Sequence, residues 1–400
     1  MWLYVAGLAL ATLGVMDLLV NIVAVRLLNF TLVELGLLNA LWTAAVIPSL
    51  RHSNLLSNAG LTKRPTLIGF LAFATFIPLF YLSVSWRSAA LLYTAYVLHA
   101  VTYSYVKTGC QTAVLESYPS HQWSHYSRRL AQLAVLFEGL LLLGVSRVWS
   151  SLFETWYFQL IAVFVLAVSA LLVLVVPQPS LRFEKILTRI ESHLKKSLTR
   201  IHGYLTISSL DYANGEKVNI LVERFVKDGV SLTLIAAALA AFRIGNEYLF
   251  TPLPFVFIRL MGLKTPDVVA LYGLGKAIGF TVMLVLPPNV VSKGAFTLAS
   301  LVKVASVAGI VFWRPDLGFS SVLLAAIYIS NLVIDTTIYT LYVTTTSGSN
   351  VGLFNIVAEA SSLVGTLTSG YVMTILGLDT TVLLLVILNL VPLLLVKKSW

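Results

Sequence analysis

The chain has 400 residues, of which 58% are hydrophobic and only 11% charged, and its formal net charge is +10. Because a soluble domain carries about 25% charged residues, this composition excludes an ordinary soluble protein and predicts an integral membrane protein. The apolar runs are roughly 20 residues long, which suits helices that span a bilayer. The single cysteine, Cys110, excludes an internal disulfide and any cysteine-cluster metal site.

Hydropathy predicts an all-α polytopic protein with twelve transmembrane helices. In chain order, helices 1 to 12 cover about 3–26, 31–50, 65–85, 88–110, 127–147, 155–176, 228–250, 267–287, 295–313, 317–343, 350–376 and 380–396. The first run has no basic n-region, so we interpret it as a spanning helix and not as a cleaved signal. The long polar stretch predicts three parts: an N-terminal six-helix bundle at 1–176, a linker at 177–227 and a C-terminal six-helix bundle at 228–400.

Within the linker, residues 181–205 read LRFEKILTRIESHLKKSLTRIHGYL. Apolar residues recur there at helical spacing, opposite a basic face, which predicts an amphipathic helix lying on the cytoplasmic membrane surface. A helix that binds a protein partner is the alternative.

The basic residues are distributed unevenly between the predicted loops. With a cytoplasmic N-terminus, seventeen of the 27 lysines and arginines fall on the inner side and six on the outer side. This positive-inside bias predicts a plasma-membrane protein with both termini in the cytoplasm. The basic charge then reflects topology and an anionic inner leaflet, and no nucleic-acid partner is expected. His121 and His125 lie four apart in a polar stretch that we interpret as a solvated loop, so no metal is predicted.

Two sets of six helices joined by a basic amphipathic loop resemble the major facilitator superfamily of secondary transporters. The stretch SNLLSNAGLTKRPTLI at 53–68 is similar to the motif that the family carries between helices 2 and 3. Gly60, Lys63 and Arg64 match that motif, whereas Ser57 stands where the family has an acid, or Asn58 with a one-residue slip. That acid belongs to a charge network that holds one conformation, so its replacement weakens the expectation that this loop gates.

Two longer passages extend the resemblance, 115–144 to the connection between helices 4 and 5 and 351–377 to helix 11. Aligning helix 5 with helix 11 matches Glu138 to Glu359 and Gly144 to Gly365, as expected for two related halves. The resemblance implies that helices 1, 4, 7 and 10 line a central cavity. It also implies that helices 2, 5, 8 and 11 form the seams between halves.

Ionisable residues inside the predicted spans each need a partner or a watery cavity, because an unpaired charge there costs a few kcal/mol or more. Eight of the nine fall on the implied lining or seam helices, which indicates a polar cavity; Lys303 is expected to snorkel from a span end. The nine are Asp17, Lys107, Glu138, Arg243, Glu247, Lys276, Lys303, Asp335 and Glu359.

Helix 7 places Arg243 and Glu247 one turn apart, with Asn246 adjoining. We interpret Arg243 as the group that engages an anionic or carboxylated substrate, with Glu247 as its resting counter-ion or proton acceptor. The alternative is an intrahelical ion pair that only neutralises itself.

Asp17 lies midway along helix 1, four residues before Asn21. A lone carboxyl there suits proton transport, and a permanent hydrogen bond to a neighbouring helix is the alternative. Asp335 is predicted to contact substrate or to pair with Lys107 or Glu116. His99 completes the predicted substrate- and ion-binding set.

The run YGLGKAIGF at 272–280 places Lys276 deep in helix 8, as deep as Glu138 lies in helix 5. Because the resemblance brings helices 5 and 8 together, we predict a Glu138–Lys276 pair across the seam, acting with Glu359 as a gate or coupling element. Gly275 and Gly279 are expected to allow the close approach.

The leading hypothesis is a secondary transporter that moves a small solute by alternating access and functions as a monomer. Several carboxylates and no obvious oxygen cage favour coupling to protons over sodium. Walker A and catalytic signatures are absent from the sequence, so neither ATP-driven transport nor an enzyme is expected, and no cofactor is expected. The alternative is a non-transporting membrane scaffold, sensor or lipid-handling protein.

Overall fold

A computed structural model describes residues 1–58, 61, 63–119, 122–152, 155–177, 215–285, 292–313, 316–345 and 351–397. Every regular element in these ranges is helical. The all-α prediction is therefore confirmed for the described chain. The predicted amphipathic helix at 181–205 and Gly60 lie outside the described residues.

The long helices follow the predicted order. They are α1 Trp2–Arg26, α2 Leu32–Asn58, α3 Lys63–Ser85, α4 Ala89–Ser117, α5 Trp123–Val148, α6 Thr155–Val175, α7 Gly215–Phe250, α8 Thr265–Val285, α9 Lys293–Trp313 and α10 Leu317–Thr345. The last, Val351–Lys397, is broken at Gly377; we call the part before this residue α11 and the part after it α12. Gly377 has φ 78° and ψ 174°, a conformation that glycine adopts without steric cost, so the chain turns there.

Ten helices of the described chain are long and apolar enough to cross a membrane, and one of them, Phe354–Val396, contains both α11 and α12. The fourth helix, α4, has 29 residues and is not among these ten. α7 begins at Gly215, inside the stretch predicted as linker, and so extends beyond the apolar span predicted at 228–250. The division into 1–176, 177–227 and 228–400 stays a prediction.

α1 is the central helix of the first set. It packs against α4, α5 and α6, and 78% of its most apolar window is buried. A helix that is apolar on all sides is stable only when other helices surround it. Asp17 and Asn21 are therefore held inside the bundle by the apolar remainder of α1.

The two sets meet along α5 and α8. A Cβ atom at Gly139 would lie 3.1 Å from Ala277 N and from Gly273 O, and one at Gly273 would lie 3.1 Å from Gly139 O. The predicted close approach thus exists, but the residues that permit it were wrongly chosen. Gly275 faces α10 and Gly279 has nothing within 4 Å, because α8 is rotated to place Gly273 against α5.

The sets also meet along α2 and α11. A Cβ atom at Gly370 would lie 2.2 Å from Leu32 O, and one at Gly36 would lie 2.9 Å from Thr366 O. This contact lies where α2 begins, at the end of the bundle where α1 finishes. We call it the Arg26 end, and the opposite end the Met1 end.

A third contact closes the Arg26 end. Arg259, in the π-helix Val256–Leu260 between α7 and α8, donates to Val25 O at 3.0 Å. The same guanidinium group donates to the side chain of Asn29. The α2–α11 packing and the hydrogen bonds of Arg259 therefore hold the two sets together at this end.

Gly370→Ala is expected to destabilise the protein by about 1–3 kcal/mol, because the new methyl group has no room against the Leu32 carbonyl. Gly144→Ala is the matched control, since nothing lies within 4 Å of its added carbon atom and alanine is the better helix former. Thermal unfolding in detergent measures both. Equal unfolding temperatures for the two variants would show that the α2–α11 contact is not as tight as described.

Candidate functional site

Two adjoining cavities lie between the helix sets. The central cavity has a volume of about 320 Å³ and is lined from both sets, including Asp17, Asn39, Glu138 and Glu247. The second cavity has a volume of about 260 Å³ and lies toward the Met1 end, with Arg243, Met283 and Asp335 in its wall. They share three lining residues: Lys276, Tyr328 and Asn331. The two spaces therefore form one polar region running from the middle of the bundle toward the Met1 end.

Asp17 belongs to a hydrogen-bond network on the wall of the central cavity. The Tyr96 hydroxyl lies 2.6 Å from Asp17 Oδ1 and 3.1 Å from Asn39 Oδ1, and its one proton serves one of them at a time. Asn21 donates to the Tyr96 oxygen at 3.1 Å, and Asn39 donates to Asn21 Oδ1 at 2.7 Å. Asp17 thus has hydroxyl and amide neighbours, and no cationic side chain within 4 Å in the described chain.

The sequence reasoning missed Asn39. Its signal was present, because it is an amide in an otherwise apolar stretch of α2, LGLLNALW. A polar side chain in such a place needs a hydrogen-bond partner on a neighbouring helix.

His99 lies behind Trp42 and does not line either cavity. The Trp42 indole donates to His99 Nδ1 at 3.0 Å, and His99 Nε2 lies 3.0 Å from Leu13 O. Because an indole only donates and a carbonyl only accepts, this arrangement places the imidazole proton on Nε2. His99 therefore orients Trp42, which lines the central cavity. Direct binding of solute or protons by His99 stays a prediction.

The predicted Glu138–Lys276 pair is present. Lys276 Nζ lies 2.7 Å from Glu138 Oε2, and it lies 4.9 Å from the centroid of the Tyr328 ring. The Glu138 carboxylate packs against α1, where a Cβ atom at Gly14 would lie 2.6 Å from it. This ion pair therefore joins α5, α8 and α1 in the wall of the central cavity, and its role as a gate stays a prediction.

The counter-ion of Arg243 is Asp335 and not Glu247. Arg243 Nη2 lies 2.8 Å from Asp335 Oδ1, and the two side chains are 30% and 42% exposed. α10 packs against α7, which brings Asp335 to the guanidinium group from another helix. The expected pairing of Asp335 with Lys107 or Glu116 is replaced by this contact in the conformation described.

Glu247 lies in the central cavity, one turn farther along α7 toward the Arg26 end. Its carboxylate accepts from Thr251 Oγ1 at 3.2 Å and has no cationic side chain within 4 Å among the described residues. Glu247 and Asp17 are thus two carboxyl groups, from the two helix sets, that face one cavity without a counter-ion.

Lys303 does not snorkel, so that prediction is wrong. It is fully buried, donates to Asn246 Oδ1 at 2.5 Å and lies 4.7 Å from the centroid of the Phe242 ring. The physical reason is the rotation of α9, which directs this side chain inward to α7. Asn246 therefore accepts a hydrogen bond from an ammonium group and also lines the second cavity; its binding of a solute stays a prediction.

Lys303→Met is expected to leave stability unchanged or to raise it, because an apolar side chain of similar length replaces a buried cation. Asn246→Leu is expected to cost about 3–5 kcal/mol, since it leaves that ammonium group without a hydrogen-bond partner. The double variant should recover most of the loss. Thermal unfolding of the three variants in detergent measures these differences, and full stability of Asn246→Leu alone would contradict the assigned contact.

The remaining predicted residues lie outside the two cavities. Glu359, on α11, is partly buried and forms no ion pair within 4 Å in the part of the chain described. At the Met1 end, Ser57 is buried and Lys63 donates to Leu174 O at 3.4 Å; Arg64 lies beside it. The roles predicted for these four residues stay predictions.

The helix order, the two seams and the central polar cavity define a polytopic membrane protein with the fold of major facilitator superfamily transporters. The chain superposes on the crystal structure of a D-xylose-proton symporter with a TM-score of 0.69 and 12% sequence identity, over 100% of this chain and 96% of that one. At this identity the likeness concerns the fold. No protein-family model and no curated protein sequence matches the chain.

Proposed function

We propose that this protein is a proton-coupled secondary transporter that moves a small solute by alternating access. The observation that supports it most is the position of Asp17. Its carboxyl group has no cationic partner among the described residues and faces a cavity enclosed by both helix sets. Such a group is able to take up and release a proton as the surroundings of the cavity change.

The packing of the two sets supports alternating access. Contacts of Gly370, Gly36 and Arg259 close the Arg26 end, whereas the second cavity leads toward the Met1 end, where the Asp335 side chain is 42% exposed. With the topology proposed from the basic residues, both termini are cytoplasmic and this conformation faces inward. Rocking the bundle at 1–176 against the bundle at 228–400 would then expose the same cavity to the other side.

The size and lining of the cavities suit a small polar solute. Volumes of about 320 and 260 Å³ lie at the lower end of the range for small-molecule sites, about 300–1,000 Å³. The structure with a similar fold belongs to a D-xylose-proton symporter, and we extend only the pairing of solute with proton to this chain. An anionic or carboxylated solute was expected because of Arg243, which lines the second cavity.

The polar centre favours transport over a non-transporting scaffold, sensor or lipid-handling role. A scaffold is stable with a dry centre in which every charge is paired. Asp17 and Glu247 instead face a shared cavity without counter-ions in the described chain. We further propose that one chain functions as a monomer in the plasma membrane.

Proton movement into proteoliposomes tests the proposal. Vesicles loaded with a pH-sensitive dye are exposed in turn to mixtures of sugars including D-xylose, of amino acids, of monocarboxylates and of amines. At least one mixture is expected to cause a proton flux that depends on the protein, and a sodium gradient should not replace the pH gradient. If none of the mixtures moves protons and no flux responds to the pH gradient, the proposal is wrong.

A further inference from the structure

The charges around the two cavities are distributed unevenly. The central cavity is lined by the carboxyl groups of Asp17, Glu138 and Glu247 against the single ammonium group of Lys276. The second cavity is lined by Arg243 and Lys276 against Asp335. Because Lys276 pairs with Glu138 and Arg243 with Asp335, the central cavity carries an excess of negative charge from Asp17 and Glu247. The second cavity contains the guanidinium group of Arg243.

The central cavity has the chemistry that binds an ammonium group. Lys276 neutralises Glu138 at 2.7 Å, which leaves Asp17 and Glu247 without counter-ions in the described chain. Aromatic rings lie beside these carboxyl groups and attract cations with their faces. The rings lining the cavity belong to Trp42, Tyr96, Phe250, Tyr272 and Tyr328.

The second cavity has the chemistry that binds a carboxylate. Arg243 Nε is buried and has no hydrogen-bond partner in the described chain, and an unsatisfied buried donor costs about 1–3 kcal/mol. The contact of Arg243 with Asp335 is partly exposed, so it is weak enough to be exchanged for a solute carboxylate.

The positive pole of the site is Arg243, and its negative pole is formed by the carboxyl groups of Asp17 and Glu247, of which Glu247 lies about one helical turn from Arg243. Arg243 and Glu247 are four residues apart on α7, which separates their Cβ atoms by about 6 Å. Asn331 lines both cavities, and its buried Oδ1 has no hydrogen-bond partner in the part of the chain described. An α-amino acid carries its ammonium and carboxylate groups on one carbon atom, so it spans two such poles and supplies a donor for Asn331.

We propose that the solute is a zwitterionic α-amino acid with an apolar or aromatic side chain. Its carboxylate binds Arg243 in place of Asp335, and its ammonium group binds between Asp17 and Glu247. A simple anion would leave Asp17 and Glu247 without a cationic partner, and a simple amine would leave the Arg243 guanidinium group without a solute carboxylate. This inference rests on the proposed transport function and assigns the class of solute that the same site takes.

Matched ligands test it by thermal unfolding of the intact protein in detergent. One set is phenylalanine, phenethylamine and 3-phenylpropionate; the second is leucine, isoamylamine and 4-methylpentanoate; D-xylose is the neutral comparison. Each amino acid is expected to bind at least about tenfold more tightly than its two single-charge relatives, since each lost charged contact costs that much or more. Equal or weaker binding of both amino acids would overturn the proposal, as would preferential binding of D-xylose.

Two variants assign the poles. Arg243→Gln is expected to remove the advantage of phenylalanine over phenethylamine, and Glu247→Gln its advantage over 3-phenylpropionate. Arg147→Gln and Asp379→Asn remove charges at exposed positions outside the cavities and should preserve both advantages. If Arg243→Gln and Glu247→Gln preserve them as well, the assignment of the poles is wrong.

The proton-flux assay separates this inference from the transport function. If sugars, monocarboxylates or amines move protons and amino acids do not, the solute class is wrong and proton-coupled transport stands. If phenylalanine or leucine binds as expected but no mixture moves protons, the binding site stands and the transport function is wrong.

Discussion

Replacing Asp17 by asparagine is expected to abolish solute accumulation driven by a pH gradient while preserving exchange of solute across the membrane. Asparagine has the shape of the aspartate side chain and accepts a hydrogen bond from Tyr96, which lies 2.6 Å from Asp17 Oδ1. The network with Asn21 and Asn39 therefore survives the substitution. What is lost is the ability to bind and release a proton, and exchange of one solute molecule for another does not require it. Because Asp17 is also one of the two carboxyl groups proposed to hold the solute ammonium group, exchange by the variant should require a higher solute concentration.

The measurement uses proteoliposomes and the solute identified by the dye assay. Accumulation is followed with an imposed pH gradient, and exchange is followed without one, using labelled solute outside and unlabelled solute inside. Asp379→Asn, which makes the same chemical change at an exposed position, controls for expression and reconstitution and should retain both activities.

A second variant separates the carboxyl group from its network. Tyr96→Phe removes the hydroxyl group that contacts Asp17 and Asn39 but leaves the carboxyl group in place. We expect this variant to keep accumulation with an altered dependence on pH. Accumulation by Asp17→Asn at the wild-type level would show that the proton is carried elsewhere, and Glu247 would be the next carboxyl group to test.

The Glu138–Lys276 contact was predictable because its geometry depends only on depth. Both residues lie about midway along their helices, and the resemblance to a known fold placed helices 5 and 8 side by side. An ammonium group and a carboxylate at equal depth in adjacent spans lower their free energy by pairing. Depth and adjacency were sufficient here, and the ion pair is present at 2.7 Å.

Contacts that depend on helix rotation were not predictable from this sequence. Lys303 was expected to snorkel because it lies near a span end, which left the rotation of α9 ambiguous; in the structure Ser300, Lys303 and Ser306 lie together on its buried face. The same ambiguity led to Gly275 and Gly279 on α8, where Gly273 makes the close contact. Arg243 pairs with Asp335 on another helix because α7 packs against α10. Spacing along α7 alone does not predict this contact.

Removing one partner of the Glu138–Lys276 pair is expected to destabilise the protein by about 3–5 kcal/mol, because the other charge stays buried without compensation. The two side chains are only 13% and 20% exposed, so water compensates little. Glu138→Gln and Lys276→Met keep the approximate shape of each side chain. The double variant should be more stable than either single variant, and unfolding in detergent measures all three.

The Arg243–Asp335 pair is the matched control. At 30% and 42% exposure its charges are accessible to water, so the same cycle with Arg243→Met and Asp335→Asn should give about 0–1 kcal/mol of coupling. Equal coupling in the two pairs would contradict the difference in burial that the structure shows.

The Glu138–Lys276 double variant also tests the predicted gate. The pair crosses the α5–α8 seam, and its carboxylate lies against Gly14 of α1, close along the helix to the proposed proton site at Asp17. If the pair only stabilises the seam, recovery of stability in the double variant should be accompanied by recovery of proton-driven accumulation. If it couples movement of the two sets to the proton, the double variant should fold stably and exchange solute, yet fail to accumulate it.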